Sequence, residues 1–388
     1  MVSSEKIRGT FIKRLNRFVC MVDVDGRIER AYLPNPGRLW ELLLPGNEVL
    51  LVPNASCSAK SKYILLAVYG LNGWVLLHTH LTNTIIEDLL SEKRIGFLAD
   101  YDLLEREVKL GNRRIDFLLE GRDEKIYLEV KTCTLFGEKL AMFPDAVTIR
   151  GADHITRLAE ISKENGKKGM VLFVVMNPGV EYFLPAYHID RVFTMNMLKY
   201  RDLVDFRALA IGFDSDFKRV VSLREIPIPW GYIESLDLNK GVYLLILELD
   251  EDKFIDVGSL GKVEFKKGYY VYVGSAMNSL SKRLSRHKSG NKKLRWHIDY
   301  LTVHVDRIWD IPIVTDSAIE EEIALRLYNI ANGFIEGFGA SDSTNNSHLF
   351  YFRENPMEDR RFMDLVCYFR LDWNYERIRR KDENSYTF

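Results

Sequence analysis

Pro227 and Pro229 bracket a single residue, Ile228, just ahead of Trp230-Gly231. Each proline fixes φ and lacks an N–H, so two this close discourage both a helix and a central strand. The chain is therefore expected to part here, with one folded region ending near residue 226 and another starting near 232. A length of 388 residues agrees, since about 150 residues per domain gives two or three domains. Hydrophobic residues at 47% and charged residues at 28% allow each region a core of its own, and they exclude disordered, collagen-like and low-complexity classes.

Lys and Arg number 54 against 55 Asp and Glu, a formal net charge of -1. Taken alone, that balance argues weakly against a nucleic-acid partner. Cys20, Cys57, Cys133 and Cys367 are dispersed with no C-x-x-C pair, which fits a reducing compartment and rules out a four-cysteine zinc ribbon. The first eight residues carry no apolar signal core, and apolar runs such as 169–176 are too short to span a bilayer. A soluble cytoplasmic protein with no membrane partner is expected.

From Phe11 to Tyr69 short apolar runs alternate with turns, notably Asp25-Gly26 and Pro34-Asn35-Pro36-Gly37. Such spacing predicts a small antiparallel barrel or sandwich. A helix follows over 83–90, capped by Thr82 or Asn83. Next come strand-like runs at 105–110, 114–119 and 125–132, the first two joined by the hairpin signal Gly111-Asn112. A helix over 154–164 then leads into the apolar strand 170–176, which predicts a mixed α/β layer. Beyond the prolines, strands are expected at 241–248 and 268–273, a short basic helix at 280–287 and a longer helix at 317–331. The tail, 357–388, is rich in charge and aromatics; Phe362, Val366, Tyr368 and Trp373 at near-helical spacing suit packing across a dimer or back onto the same chain.

Asp116 ends one strand run, and thirteen positions later Glu129-Val130-Lys131 sits on the next. Residues i and i+2 of a strand share a face, so Glu129 and Lys131 point the same way, and a turn near 121–123 brings Asp116 beside them. Two carboxylates and a lysine on one sheet face suit metal-assisted phosphodiester hydrolysis. The carboxylates supply hard oxygen ligands for Mg²⁺ or Mn²⁺, and the lysine orients water and meets developing phosphate charge. A match of this spacing by itself more often marks a solvent-exposed ion pair.

The neighbourhood is more specific. Arg113-Arg114-Ile115-Asp116-Phe117-Leu118-Leu119, Leu128-Glu129-Val130-Lys131-Thr132-Cys133-Thr134, Phe143-Pro144-Asp145-Ala146-Val147-Thr148, Arg150-Gly151, His154 and Arg157-Leu158 together resemble the sugar fermentation stimulation protein family. So does Tyr32-Leu33-Pro34-Asn35-Pro36-Gly37-Arg38-Leu39. The resemblance covers roughly residues 5 to 225. It implies an OB-like nucleic-acid-binding barrel over 1–80 and a PD-(D/E)XK nuclease-like α/β domain over 81–226, with DNA as the partner. Asp116, Glu129 and Lys131 match the catalytic positions of that superfamily, Asp116 and Glu129 as metal ligands. Glu107 and Glu87 are further candidate ligands, or solvated carboxylates. Asp145, Arg150 and His154 are expected to line the substrate side, the last two as nucleic-acid contacts.

In the second half Gly241-Val242-Tyr243, Tyr272-Val273-Gly274-Ser275, Arg283, His287 and Glu320-Glu321-Glu322 resemble the GIY-YIG nuclease superfamily. Leu294-Arg295-Trp296-His297-Ile298-Asp299-Tyr300-Leu301, Gly337-Phe338-Gly339 and Ser347-His348-Leu349-Phe350 are similar to a small GIY-YIG-like domain of unknown function. That likeness covers about 235 to 353, within an α/β domain expected over 232–356. It implies Tyr243 or Tyr272 as general base or water organiser, Arg283 as phosphate neutraliser and Glu320 as metal ligand, with His287 assisting from one turn after Arg283. Relatives carry cysteines where this chain reads Ser341-Asp342-Ser343-Thr344-Asn345-Asn346, so any role of those cysteines is absent.

Lys282, Arg283, Arg286, Lys288, Lys292, Lys293 and Arg295 form a run without an acidic residue. Beside phosphate chemistry such a run reads as a nucleic-acid contact, and otherwise as a solvated face. Nearby Tyr269, Tyr270, Tyr272 and Trp296 offer rings on which unpaired bases can stack. The fold expected is thus multidomain α/β and β: an OB-like barrel, a PD-(D/E)XK-like domain and a GIY-YIG-like domain. The function expected is a DNA-binding, metal-dependent nuclease with two candidate sites. Two alternatives stay open, a non-cleaving DNA-binding regulator of sugar metabolism genes and an RNA-directed nuclease.

Overall fold

In the computed structural model the described residues are 5–55, 60–110, 113–215, 217–340 and 345–385. The first six strands are β1 (Ile7–Asn16), β2 (Val19–Val24), β3 (Arg27–Tyr32), β4 (Glu48–Pro53), β5 (Tyr63–Gly70) and β6 (Gly73–Leu76). They pair in the order β3-β2-β1-β4-β5-β6, and a parallel pairing of β3 with β5 closes the sheet into the expected barrel. Alternation dictates which face turns inward: Cys20, Val22 and Val24 of β2 are buried while their neighbours are not. At the β2–β3 turn both Asp25 and Gly26 have positive φ, the conformation that makes Asp-Gly a hairpin signal.

Helix α1 (Leu81–Ser91) links the barrel to an α/β layer. Neither Thr82 nor Asn83 caps it; the N-cap is His80, without a side-chain hydrogen bond. Both polar side chains turn to the neighbouring sheet instead, where Thr132 Oγ1 donates to Thr82 Oγ1 at 2.8 Å and Asn83 donates to Asp116. The layer contains β7 (Asp102–Leu110), β8 (Arg113–Glu120) and β9 (Lys125–Cys133). The short strands β10 (Leu135–Phe136) and β11 (Leu140–Phe143) follow, then α2 (Ile149–Ile161) and β12 (Lys167–Val175). It continues through β13 (Tyr182–Pro185), α3 (Arg191–Tyr200), β14 (Val204–Phe213) and β15 (Val220–Ile226). Its main sheet runs β15-β14-β12-β9-β8-β7, with β9, β12 and β14 parallel. Helices α2 and α3 make the crossovers that parallel pairing requires. β12 is buried from Gly169 to Val175, as a strand covered on both faces should be. The expected Gly111-Asn112 turn lies outside the described residues.

Past Pro227 and Pro229 comes a short helix, α4 (Trp230–Glu234). The chain divides into two compact units, Met1–Glu234 with Leu371–Phe388, and Ser235–Arg370. The division therefore falls after α4, not at the prolines. Tyr232 and Ile233 are buried, and Tyr232 Oη donates to Asn374 Oδ1 at 2.6 Å, which holds α4 in the first unit.

The second unit is built on β16 (Gly241–Leu249), β17 (Lys253–Asp256), β18 (Lys262–Phe265), β19 (Gly268–Ala276), α5 (Leu280–Lys288), α6 (His297–Thr302), β20 (Arg307–Val314), α7 (Glu320–Tyr328), β21 (Gly333–Phe334) and β22 (Leu349–Phe352). Its antiparallel sheet runs β20-β16-β19-β22-β21. The segment 357–388 is split between the units. Helix α8 (Arg360–Cys367) buries Phe362 against Phe352 of the second unit. Helix α9 (Trp373–Ser385) belongs to the first, where Ile378 is buried and Tyr375 Oη donates to Glu181 Oε2 at 2.7 Å. Among the described residues no helix is long and apolar enough to cross a membrane.

Candidate functional site

The β8–β9 hairpin pairs Glu120 with Lys125, Leu119 with Ile126, Leu118 with Tyr127 and Phe117 with Leu128. One step further the same register sets Asp116 against Glu129, and there the ladder ends. In place of a backbone carbonyl, Asp116 Oδ2 accepts the Val130 N–H at 2.7 Å, and Oδ1 accepts from Asn83 Nδ2 at 2.8 Å. Beyond this point β9 continues beside β12, with Glu129 opposite Val171 and Lys131 opposite Phe173. The carboxylate pair thus sits where the hairpin opens, held on one side by a fully formed sheet.

Glu129 is 3% exposed. Its Oε1 takes hydrogen bonds from both Lys131 Nζ and His154 Nδ1, and its Oε2, also buried, accepts none among the described residues. Arg150 lies one turn before His154 on α2, and its Nε donates to His154 Nε2 at 3.3 Å. Thr148 caps the helix by accepting the Gly151 N–H. Burial pushes the Asp116 carboxyl from an ordinary 3.8 up to about 6, and the Glu129 charge adds to the rise. Burial pushes Glu129 the same way, but His154 and Lys131 outweigh it and hold this carboxyl below the usual range. Two close carboxylates are thus met by one lysine, one imidazole and two neutral N–H donors, and one buried oxygen is left open among the described residues. That donor set fits a divalent cation, a hard ion that takes carboxylate oxygens. Asp116 and Glu129 are the residues able to hold it. Among the described residues no cluster of three or more His, Cys, Asp or Glu side chains is close enough to form a denser metal site.

Glu87 pairs with Arg106 at 2.5 Å and Glu107 faces Arg114 at 4.0 Å. Two residues expected on the substrate side lie elsewhere. His154, expected to touch nucleic acid, is 1% exposed: as the only imidazole able to reach Glu129 from α2 it turns inward to the carboxylate. Asp145 packs against the barrel loop, and its carboxylate fills the space beside Gly37, where a Cβ would stand 1.9 Å from Oδ2. Arg14 holds that loop by donating to the carbonyls of Gly37 and Arg38, both at 2.7 Å. Arg150 is exposed, as expected.

In the second unit Tyr243, Tyr272, Arg283, His287, Arg295 and Glu320 line one cleft of ≈ 460 Å³. His287 is buried, and its Nε2 lies 2.8 Å from Tyr243 Oη. Burial, reinforced by Lys292, pulls His287 down to about 4, so it is neutral at pH 7. Burial raises both phenols well above the ordinary tyrosine value, so they stay protonated at pH 7. Gly274 allows this packing, because a Cβ there would meet Tyr243 Oη at 2.5 Å. Three participants were not foreseen in these roles. Trp296 carries the guanidinium groups of Arg283 and Arg286 on its ring at 4.3 and 4.4 Å, His348 Nδ1 lies 3.3 Å from Glu320 Oε1, and His297 Nδ1 accepts the Gly339 N–H.

The basic run is only partly available. Arg286 is clamped by Asp299, with Nη2 donating at 2.8 Å, and Lys288 pairs with Asp310. Lys292, expected to face nucleic acid, turns inward, donating to the His287 carbonyl at 2.6 Å and to Thr302 Oγ1 at 2.7 Å. It serves the carbonyls at the C-terminus of α5, where a cation is favoured. Lys282, Lys293 and Arg295 remain exposed.

The elevated Asp116 pKa has a thermodynamic consequence. The folded state binds this proton more tightly than the unfolded chain, so stability falls as pH rises from about 4 through about 6. Between pH 4 and pH 7 wild type should lose about 2 to 3 kcal/mol relative to Asp116→Ala. Denaturant melts of both proteins at the two pH values measure this, and a pH-independent difference contradicts it.

Comparison with known proteins follows the same division. Residues 12–77 match a family model described as the SfsA N-terminal OB domain. Residues 80–216 match the sugar fermentation stimulation protein RE domain, and 242–369 match domain of unknown function DUF123. A sugar fermentation stimulation protein homolog of Methanothermobacter thermautotrophicus is 34% identical over 232 residues, 59% of this chain and 96% of the relative. One from Methanosphaera stadtmanae is 39% identical over 194 residues, 49% of this chain and 80% of the relative. The solved structure of Pyrococcus furiosus SfsA in complex with Ca²⁺ is 29% identical, with a TM-score of 0.54, and covers 59% of this chain and 97% of that one. The chain belongs to the sugar fermentation stimulation protein family, with a DUF123 domain following the two domains that define it.

Proposed function

We propose that this protein is a metal-dependent nuclease acting on DNA. The observation that carries the reading is the pair of half-buried Asp116 and buried Glu129, with Lys131 on the same strand face and one carboxylate oxygen left open among the described residues. That the Pyrococcus furiosus relative was solved with Ca²⁺ supports a divalent ion as cofactor, and Mg²⁺ or Mn²⁺ is the working ion proposed here. Asp116 and Glu129 would hold such an ion, which would supply Lewis-acid stabilisation of phosphate charge and lower the pKa of water. Lys131 orients the attacking water and meets charge on the phosphate oxygens. Arg150, exposed on the first turn of α2, reaches a neighbouring phosphate of the bound strand. The barrel supplies the sequence-independent grip on nucleic acid that OB folds are suited to.

The cleft of the second unit offers a second phosphodiester site. Arg283, steadied on Trp296, neutralises the phosphate; Glu320 is the residue able to hold a cation. Tyr243, still protonated and held 2.8 Å from the neutral ring of His287, positions water beside the phosphate.

Two measurements test this. Plasmid and single-stranded substrates incubated with Mg²⁺ or Mn²⁺ should be cut by wild type, and Lys131→Ala should slow cleavage by roughly 10² or more. Glu320→Ala reports the contribution of the second site. If wild type shifts every substrate in a gel yet cuts none, the enzyme reading is lost and a non-cleaving DNA-binding regulator stands. Replacing Lys282, Lys293 and Arg295 together should flatten the slope of log K against log salt by about 2 to 3, as three counterions are no longer released. An unchanged slope contradicts a role for that face in phosphate binding.

A further inference from the structure

Oxygen Oε1 of Glu129 carries two donors and Oε2 none among the described residues. A carboxylate turns easily about its last torsion, so offering Oε2 to a cation requires that Oε1 be held. Lys131 is an unreliable holder, because the proposed chemistry asks it to face water and phosphate. His154 has no such second duty. It is 1% exposed, and α2, which carries it, is fixed at its start by Thr148 N donating to Asp190 Oδ2 at 2.8 Å and to the hairpin by Arg113 Nε donating to Asp153 Oδ2 at 2.7 Å.

The direction of the hydrogen bonds can be deduced. A guanidinium has only donors, so when Arg150 Nε approaches His154 Nε2 at 3.3 Å, that nitrogen supplies the lone pair. In the neutral ring the proton then resides on Nδ1, which donates to Glu129 Oε1, an oxygen that can only accept; Lys131 Nζ, 3.4 Å from the same Nδ1, donates to that carboxylate oxygen instead. Arg150 and His154 stand four residues apart on one helix face, so the helix itself brings the two into line.

We propose that His154 is a positioning residue whose tautomer is set by Arg150, and that it locks Glu129 so that Oε2 faces the cation. The inference rests on the metal-dependent reading of this site and deepens it. Carboxylates that bind metals depend on such partners, whose loss typically weakens metal affinity 10- to 100-fold.

The test is Mn²⁺ affinity, measured by electron paramagnetic resonance of free Mn²⁺, in the full chain carrying Glu320→Ala so that only the first site titrates. Adding His154→Ala should weaken binding 10- to 100-fold. His154→Gln, whose amide N–H can donate to the same oxygen, should recover most of the loss, and Arg150→Ala should weaken binding by a smaller factor. Affinity unchanged in His154→Ala, with circular dichroism and melting unaltered, overturns the positioning role while leaving the metal site standing. Equal losses in the Ala and Gln variants overturn it as well, since a packing role alone accounts for them. Should His154→Ala fail to fold, Arg150→Ala decides, and unchanged affinity there overturns the proposal. A parent that binds no Mn²⁺ removable by Asp116→Ala overturns both the metal reading and the inference built on it.

Discussion

The first unit depends on the register of one hairpin. Phe117 pairs with Leu128, the ladder stops, and half-buried Asp116 and buried Glu129 are left across from each other. A shift of one residue would turn the Asp116 side chain to the opposite face and break the constellation. The register is protected because the buried side chains Phe117, Leu119, Ile126 and Leu128 depend on it too. Packing energy thereby holds together two carboxylates that would otherwise repel. Asp116 records the cost in its raised pKa, and the buried open oxygen of Glu129 shows which charge would relieve it.

The surrounding elements divide the work. Val130 N–H and Asn83 satisfy Asp116, Lys131 and His154 satisfy one oxygen of Glu129, and Arg150 connects the group to solvent. The second unit solves a related problem with different groups. Its cleft pairs a neutral histidine with a buried tyrosine, and an indole supports its arginines. Both arrangements fix polar groups inside folded sheets, the kind of preorganisation on which the proposed chemistry would draw.

How much of this was legible in sequence follows from how local each contact is. That Glu129 and Lys131 share a face comes from strand periodicity, and the neighbourhood of Asp116 comes from the length of one turn. The roles of Asn83 and His154 were not legible. Asn83 reads as a helix cap because its sequence position favours that, but the sheet offers it a carboxylate; His154 reads as surface because nothing nearby in sequence shows that Glu129 lies beneath it. The basic run teaches the same lesson. It holds no acid between Lys282 and Arg295, yet Asp299 and Asp310, just outside it, neutralise Arg286 and Lys288. A net charge of -1 likewise averages over basic faces and buried carboxylates, so it carries little information about the partner.

The central claim is that the carboxylate pair at the open end of the β8–β9 hairpin is a cation site. A crystal grown or soaked with Mn²⁺ and measured at the manganese absorption edge tests it most directly. The account predicts an anomalous peak between the Asp116 carboxylate and Oε2 of Glu129, with His154 still bonded to Oε1. Manganese bound only elsewhere, with both carboxylates unliganded at pH 7 or above, would contradict it.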